Sequence, residues 1–174
     1  LKNVNNPTIL DVGTGSGCIA ITIALEIPSS KIIAIDIDER AISVAKNNIG
    51  KHGVKNIEFL VTDIFHEKIN KNADMLISNP PYIAKEEVPS LMRDVKDYEP
   101  LVALTDNNDG LMFYRRFAEI IPSILKENGT AIMEVGIEDH PDRVEEIFRE
   151  SGFSDIKTEL DLNKDRRAIV IKNK

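Results

Sequence analysis

Cysteine occurs once, at Cys18, in a chain of 174 residues. A lone thiol forms no internal disulfide and leaves no cysteine cluster to hold zinc, so a reducing cytoplasm is the expected compartment. Cys18 itself reads as a small core residue. Long apolar runs are also missing: none approaches the ~20 residues that a membrane span needs, and no signal peptide is read. Positive charge is in deficit, with 22 Lys and Arg against 29 Asp and Glu and a formal net charge of -7. That balance argues against a protein that grips long nucleic acid by its phosphates, while leaving room for a local basic face. There is no internal repeat, no low-complexity tract and no linker.

What remains is the composition of one globular domain, 42% hydrophobic and 29% charged, long enough to bury a core. The chain opens on Leu1 rather than Met and reaches its first strand almost at once, which reads as a domain excised from a longer protein. Thr8 to Val12 is a short apolar run read as a buried strand, and a tight glycine turn, Asp11-Val12-Gly13-Thr14-Gly15-Ser16-Gly17, follows it. A helix is expected from Cys18 to Ile27, stopped by Pro28. A strand from Lys31 to Ile35 ends at Asp36, and Asp38 is placed to cap a helix running to about His52. Strands are expected at Asn56 to Val61, followed by Asp63, and at Ala73 to Ser78, followed by Asn79. Ile83 to Asp106 is irregular, as a lid or binding loop would be. Asp109 to Lys126 returns to helix, Thr130 to Val135 to strand and His140 to Glu150 to helix. Asp155 to Thr158 and Arg167 to Ile171 alternate like a closing antiparallel hairpin. The expected fold is α/β: a doubly wound, Rossmann-like sheet of about seven mostly parallel strands with helices on both faces.

In an open parallel sheet, ligands bind beyond the carboxyl ends of the strands, near the point where strand order reverses. The glycine turn, Asp36, Asp63 and Asn79 all follow strands and so share one edge. Glycines let backbone approach a ligand and present amide N–H groups at a helix start, and Asp36 is placed to accept hydrogen bonds from a ribose diol. Asp63 can reach an adenine amino group. The spacing Gly13-x-Gly15-x-Gly17 puts Cys18 where a dinucleotide fingerprint wants Gly or Ala, which disfavours an NAD oxidoreductase.

Asn79-Pro80-Pro81-Tyr82 is the stretch around which the chain is organised. The prolines fix their own φ and bias the preceding residue towards extended backbone, making a stiff platform at a strand end. It carries one side-chain amide, backbone carbonyls that no following helix uses, and one aromatic face. That set suits a planar amide or an amino-substituted ring. His52, His66 and His140 read as surface residues, and the Asp106 to Asp109 tract as solvated turns. Arg115 and Arg116 read as a solvated helix face, and Glu134 as either a polar strand edge or a lid contact.

Taken together, Asp11-Val-Gly-Thr-Gly-Ser-Gly-Cys-Ile-Ala, Ala34-Ile-Asp-Ile-Asp-Glu-Arg-Ala, Ser78-Asn-Pro-Pro-Tyr-Ile and Tyr98-Glu-Pro-Leu-Val-Ala-Leu, with Asp109-Gly-Leu downstream, resemble the PrmC/HemK family of protein-glutamine methyltransferases. The resemblance runs over nearly the whole chain and implies the class I methyltransferase fold. It also implies transfer of a methyl group from S-adenosylmethionine to the side-chain amide of the glutamine in the Gly-Gly-Gln motif of peptide-chain release factors. By position it implies that Asn79 and the Pro80 carbonyl hold the glutamine NH2, with Tyr82 packed beside it and Pro81 completing the substrate platform. Cofactor contacts are implied for Asp11, Gly13, Thr14, Gly15, Gly17, Asp36, Ile37, Asp63, Ile64 and Asn79. Members usually carry a helical N-terminal domain and a Pro-Glu-Thr-Glu segment before the first strand, neither of which lies within these residues. Asp139 stands where they often show Gln. Release-factor docking is therefore expected to be weaker than in a full-length member. Two other readings fit parts of the pattern: an adenine amino methyltransferase gripping an exocyclic NH2 with the same motif, and a non-catalytic cofactor-binding module.

Overall fold

A computed structural model describes residues 4–174; Leu1, on which the reading of an excised start rests, lies outside the described residues. Seven strands, Thr8–Val12 (β1), Lys31–Asp36 (β2), Ile57–Val61 (β3), Ala73–Ser78 (β4), Leu125–Glu134 (β5), Ile156–Leu160 (β6) and Arg166–Lys172 (β7), form one sheet. Its order is β3-β2-β1-β4-β5-β7-β6, with β7 antiparallel to both neighbours and the other pairings parallel. The helices are Cys18–Glu26 (α1), Glu39–His52 (α2), Arg93–Tyr98 (α3), Leu101–Leu104 (α4), Met112–Ile124 (α5) and His140–Glu150 (α6), with a 3-10 turn at Val88–Ser90. The doubly wound expectation is borne out. Among the described residues no helix is long and apolar enough to cross a membrane.

Strand alternation explains how one sheet serves two cores. Ile9 and Ile32 point to the side where α1 and α2 pack, and with Ala20, Ala24 and Ala34 they make the smaller cluster. The next residue of each strand, Leu10 and Ile33, points the other way and meets Tyr114, Phe117 and Ile121 of α5 and Val144 and Phe148 of α6. Tyr114, Phe117 and Phe148 are fully buried, and burying an aromatic of that size contributes about 1.5–3 kcal/mol. The Asp38 cap is present, its carboxylate accepting from the Arg40 N–H at 2.8 Å.

Several readings are corrected. The fifth helix stops at Ile124, not Lys126, because the chain is already extended at Leu125, whose partner in β4 is Ala73. β5 therefore starts earlier than Thr130, with an irregularity where Asn128 takes a φ of 62°. Ile83 to Asp106 holds the 3-10 turn, α3 and α4, and its two ends meet through a bridge between Ile83 and Thr105. Short helices of this kind lack the periodic run that would reveal them. Cys18 is exposed, not core, because it opens α1 while Ala20, Ile21 and Ala24 face the sheet. Asp106 is buried and not a solvated turn residue; its carboxylate accepts from the N–H groups of Asn108, Gly110 and Met112.

Candidate active site

Parallel pairing brings Val12, Asp36, Val61, Ser78 and Glu134 to one edge, and β1 lies between β2 and β4 where the strand order turns back. Ser78 closes this crevice from below by donating its hydroxyl to the Val12 carbonyl at 2.7 Å. The glycine turn crosses the top of β1. Gly13, Gly15 and Gly17 all have positive φ, of 73°, 55° and 82°. At Gly17 the close packing of α1 on α2 adds a second demand, since a Cβ there would lie 3.1 Å from the Ala45 Cβ. The turn spends most of its amides on β2: Gly13 and Thr14 donate to the Ile35 carbonyl and Gly15 to Asp36 Oδ2, while Gly17 donates to Thr14 within the turn. Within the turn it thus offers a ligand close backbone approach more than a row of free N–H donors.

Asp11 is fully buried beneath this turn. Its Oδ2 accepts from the Thr14 hydroxyl at 2.7 Å and the Ala20 N–H at 3.1 Å, while Oδ1 has no partner among the described residues. Burial pushes its carboxyl from 3.8 up to about 6. A folded-state value above the unfolded one means stability that is full below about 3.8 and lost as pH rises through about 6. Asp11→Asn keeps the acceptor and removes the charge, so its stability advantage over the wild type should grow by roughly 1–3 kcal/mol between pH 4 and 7. Urea denaturation of both proteins across that range measures it, and an unchanging difference would contradict the raised value. An orphaned carboxylate oxygen under a glycine turn also fits a cationic ligand, and S-adenosylmethionine carries both a sulfonium and an ammonium group.

Asp36 sits at the end of β2 with each oxygen singly engaged, Oδ2 by Gly15 N–H at 2.8 Å and Oδ1 by Asp38 N–H at 3.0 Å. Each oxygen keeps capacity for a second donor, as a ribose diol requires. Ile37 beside it is exposed at 57%, a bare apolar surface just beyond the end of β2. Asp63 accepts from the Phe65 N–H at 2.8 Å and lies 2.6 Å from His66 Nδ1, and the His66 hydrogen bond holds its carboxyl below the usual range. Ile64 is buried in the core and its carbonyl accepts from Arg116 Nε at 2.7 Å, while its N–H has no backbone partner among the described residues. Arg115 does lie on a solvated face, paired with Asp109, but Arg116 is tied inward.

Asn79 is exposed at the end of β4, Pro80 is buried and Pro81 and Tyr82 are half-buried. Neither the Asn79 side chain nor the Pro80 carbonyl has a hydrogen-bond partner among the described residues. A cleft of about 400 Å³ opens beside Asn79, lined in part by Ile77, Ser78, Asn79, Ile132, Glu134 and Arg167. Tyr82 is tied at its tip, donating to Glu134 Oε1 at 3.1 Å and accepting from Arg167 Nη2 at 2.9 Å. Burial pushes its phenol above the ordinary range, which keeps the O–H a donor.

His140 is a further correction: it is buried behind Tyr82 and Tyr114, at ring distances of 5.9 and 5.4 Å, not on the surface. Its Nδ1 accepts from the Gly136 N–H at 3.1 Å, which leaves Nε2 to donate to the Gly110 carbonyl at 3.3 Å. Burial lowers its pKa, favouring this neutral form. His52 and His66 are exposed as read. Sequence reasoning also missed Arg167, whose place in an alternating strand carried no sign of its partners. Glu134 is a polar strand edge, the last residue of β5, and its carboxylate is held between Tyr82 and Arg167.

The strand order, the closing antiparallel hairpin and the glycine turn at the switch point define a class I methyltransferase fold. The chain belongs to the methyltransferase-domain family, whose description "Methyltransferase domain" fits residues 3–163. Within that class its likeness is to proteins named "Release factor glutamine methyltransferase", in keeping with the PrmC/HemK resemblance. One, from Fusobacterium nucleatum subsp. nucleatum, is 38% identical over 174 residues, covering 99% of this chain and 49% of that protein. Another, from Bacillus subtilis strain 168, is 41% identical over 171 residues, covering 95% of this chain and 59% of that protein. The chain thus spans about half the length of these curated relatives. A methyltransferase structure from Pyrococcus furiosus superposes with a TM-score of 0.71 at 16% identity, over 97% of this chain and 75% of that one, a likeness of fold.

Proposed function

We propose that this domain transfers the methyl group of S-adenosylmethionine to the side-chain amide nitrogen of a glutamine, the one in the Gly-Gly-Gln motif of a peptide-chain release factor. The observation that carries the reading is the pair of uncommitted acceptors, the Asn79 side-chain oxygen and the Pro80 carbonyl, fixed by two prolines beside the cleft. The names of the relatives support the substrate.

S-adenosylmethionine supplies an electrophilic methyl on a sulfonium. Binding it falls to the turn from Gly13 to Gly17 with Thr14, to Asp11 under that turn, to Asp36 for the ribose, and to Ile37, Asp63 and the Ile64 N–H around the adenine. Asn79 stands between this group and the acceptor. An amide nitrogen is a poor nucleophile because its lone pair is delocalised into the carbonyl, so the site must work by placement. Two acceptors on the two N–H bonds aim the lone pair into the cleft and stabilise the positive charge that grows on nitrogen. No general base is needed before transfer, since the proton becomes acidic once the nitrogen is alkylated. Pro81 and Tyr82 flank the amide, Tyr82 offering its ring face.

The test is transfer of labelled methyl from S-adenosylmethionine to a purified release factor, beside its Gln→Ala variant in the Gly-Gly-Gln loop and an adenine-containing oligonucleotide. Label on the wild-type factor alone is expected. Label on the oligonucleotide would move the acceptor to nucleic acid, and cofactor binding with no label anywhere would end the catalytic reading of these residues by themselves.

A further inference from the structure

Glu134 ends β5, Arg167 stands near the start of β7 and Tyr82 lies four residues beyond the end of β4, and the three close into one hydrogen-bonded triangle of which Glu134 and Arg167 line the cleft. Arg167 Nη2 donates to Glu134 Oε1 at 2.6 Å and to the Tyr82 oxygen at 2.9 Å, and the Tyr82 hydroxyl donates to the same Glu134 oxygen at 3.1 Å. The guanidinium also lies over the Tyr82 ring, 5.5 Å from its centroid. Arg167 is itself immobilised: its Nη1 donates to the Val135 carbonyl at 2.8 Å, and its own carbonyl accepts from the Val135 N–H at 3.0 Å. At side-chain exposures of 34% and 27%, Glu134 and Arg167 are neither a free surface pair nor sealed in the core. They line the cleft together with Asn79.

An ion pair serving only to join β5 to β7 has no need of the tyrosine. Here both charged groups converge on one phenol oxygen, and the phenol belongs to the acceptor motif. The two prolines between Asn79 and Tyr82 make the segment stiff, so displacement of one end carries to the other. We propose that Glu134 and Arg167 are positioning residues for the acceptor amide: they fix the Tyr82 ring and, through the proline segment, the direction of the Asn79 and Pro80 acceptors. The inference rests on the methyl-transfer reading of that motif. Arg is required because its planar fork reaches Val135, Tyr82 and Glu134 at once, which a single ammonium cannot do with the same geometry.

The test uses Glu134→Gln and Arg167→Lys, with 3-fluorotyrosine incorporated at all three tyrosines, Tyr82, Tyr98 and Tyr114. Tyr98 is 83% exposed and serves as the internal reference. Loss of one fluorine signal in Tyr82→Phe assigns Tyr82. Both substitutions are expected to move or broaden that signal while Tyr98 stays put, and to lower kcat on release factor about 10–100-fold with the cofactor KM unchanged. In a Tyr82→Phe background, Glu134→Gln should slow transfer no more than about twofold further, because residues acting through one contact are not additive. An unmoved Tyr82 signal, or losses that add in the double variant, overturns the proposal. A wild-type protein that methylates no release factor overturns the reading beneath it instead, and the fluorine signals still judge the positioning.

Discussion

Asn79→Ala is expected to slow methyl transfer roughly 10²–10³-fold, about 3–4 kcal/mol in the barrier, in line with loss of one preorganised hydrogen-bonding group. The loss should fall on kcat. Asn79 sits exposed on a strand end that Ser78 and Pro80 hold in place without it, so removing its amide leaves the platform standing. Cofactor affinity should change little, because the glycine turn, Asp36 and the β3 edge, to which the proposed function assigns that binding, lie on separate elements. Single-turnover transfer with calorimetry of S-adenosylhomocysteine separates the two quantities. Undiminished transfer would remove Asn79 from the chemistry, whereas a matching loss of cofactor binding would make it a cofactor residue first.

Gly110→Ala should be the most damaging single-methyl change near the site. A Cβ at this position would lie 2.3 Å from the Tyr82 carbonyl oxygen, 3.0 Å from its carbon and 3.2 Å from the Ala84 nitrogen. Those are backbone atoms and have no rotamer into which to retreat. The φ of 77° adds the usual left-handed penalty. Overpacking against backbone with that strain should cost about 2–4 kcal/mol, or roughly 4–16 °C in Tm for a domain of this size, and should displace Tyr82. Gly53 is the control: its φ is 67°, but nothing lies within 4 Å of its would-be Cβ. Gly53→Ala should lose only about 1 kcal/mol and none of the transfer rate. Equal thermal shifts in the two variants would mean that strain alone, not the contact with Tyr82, fixes Gly110.

These two residues mark the boundary of what could be read without coordinates. Asn79 was legible because its surroundings are local: an apolar run ends there and two prolines follow, so chain direction and stiffness come from neighbours in sequence. The same holds for the glycine turn, for Asp36 and Asp63 at strand ends, and for the Asp38 cap. Gly110 was visible only as part of a match, with nothing to say that it lies against Tyr82. His140 and Asp106 were misread as solvent-facing because polar residues usually are, and their burial depends on partners 30 residues off in one case and on a folded-back loop in the other.

The sequence by itself determined the order and type of the main elements, the edge on which the polar strand ends gather, and the stiff Asn79-Pro80-Pro81-Tyr82 segment at the end of β4. It could do so because hydrophobic period, prolines and glycines act over a few residues. Only the tertiary structure decided which way the turn amides point, that Asp11 keeps an unpaired buried oxygen, and that Tyr82 is tied to Glu134 and Arg167 across sequence separations of 52 and 85. Those facts arise where strands far apart in the chain end side by side in the sheet, and no local pattern encodes which distant side chain will be opposite.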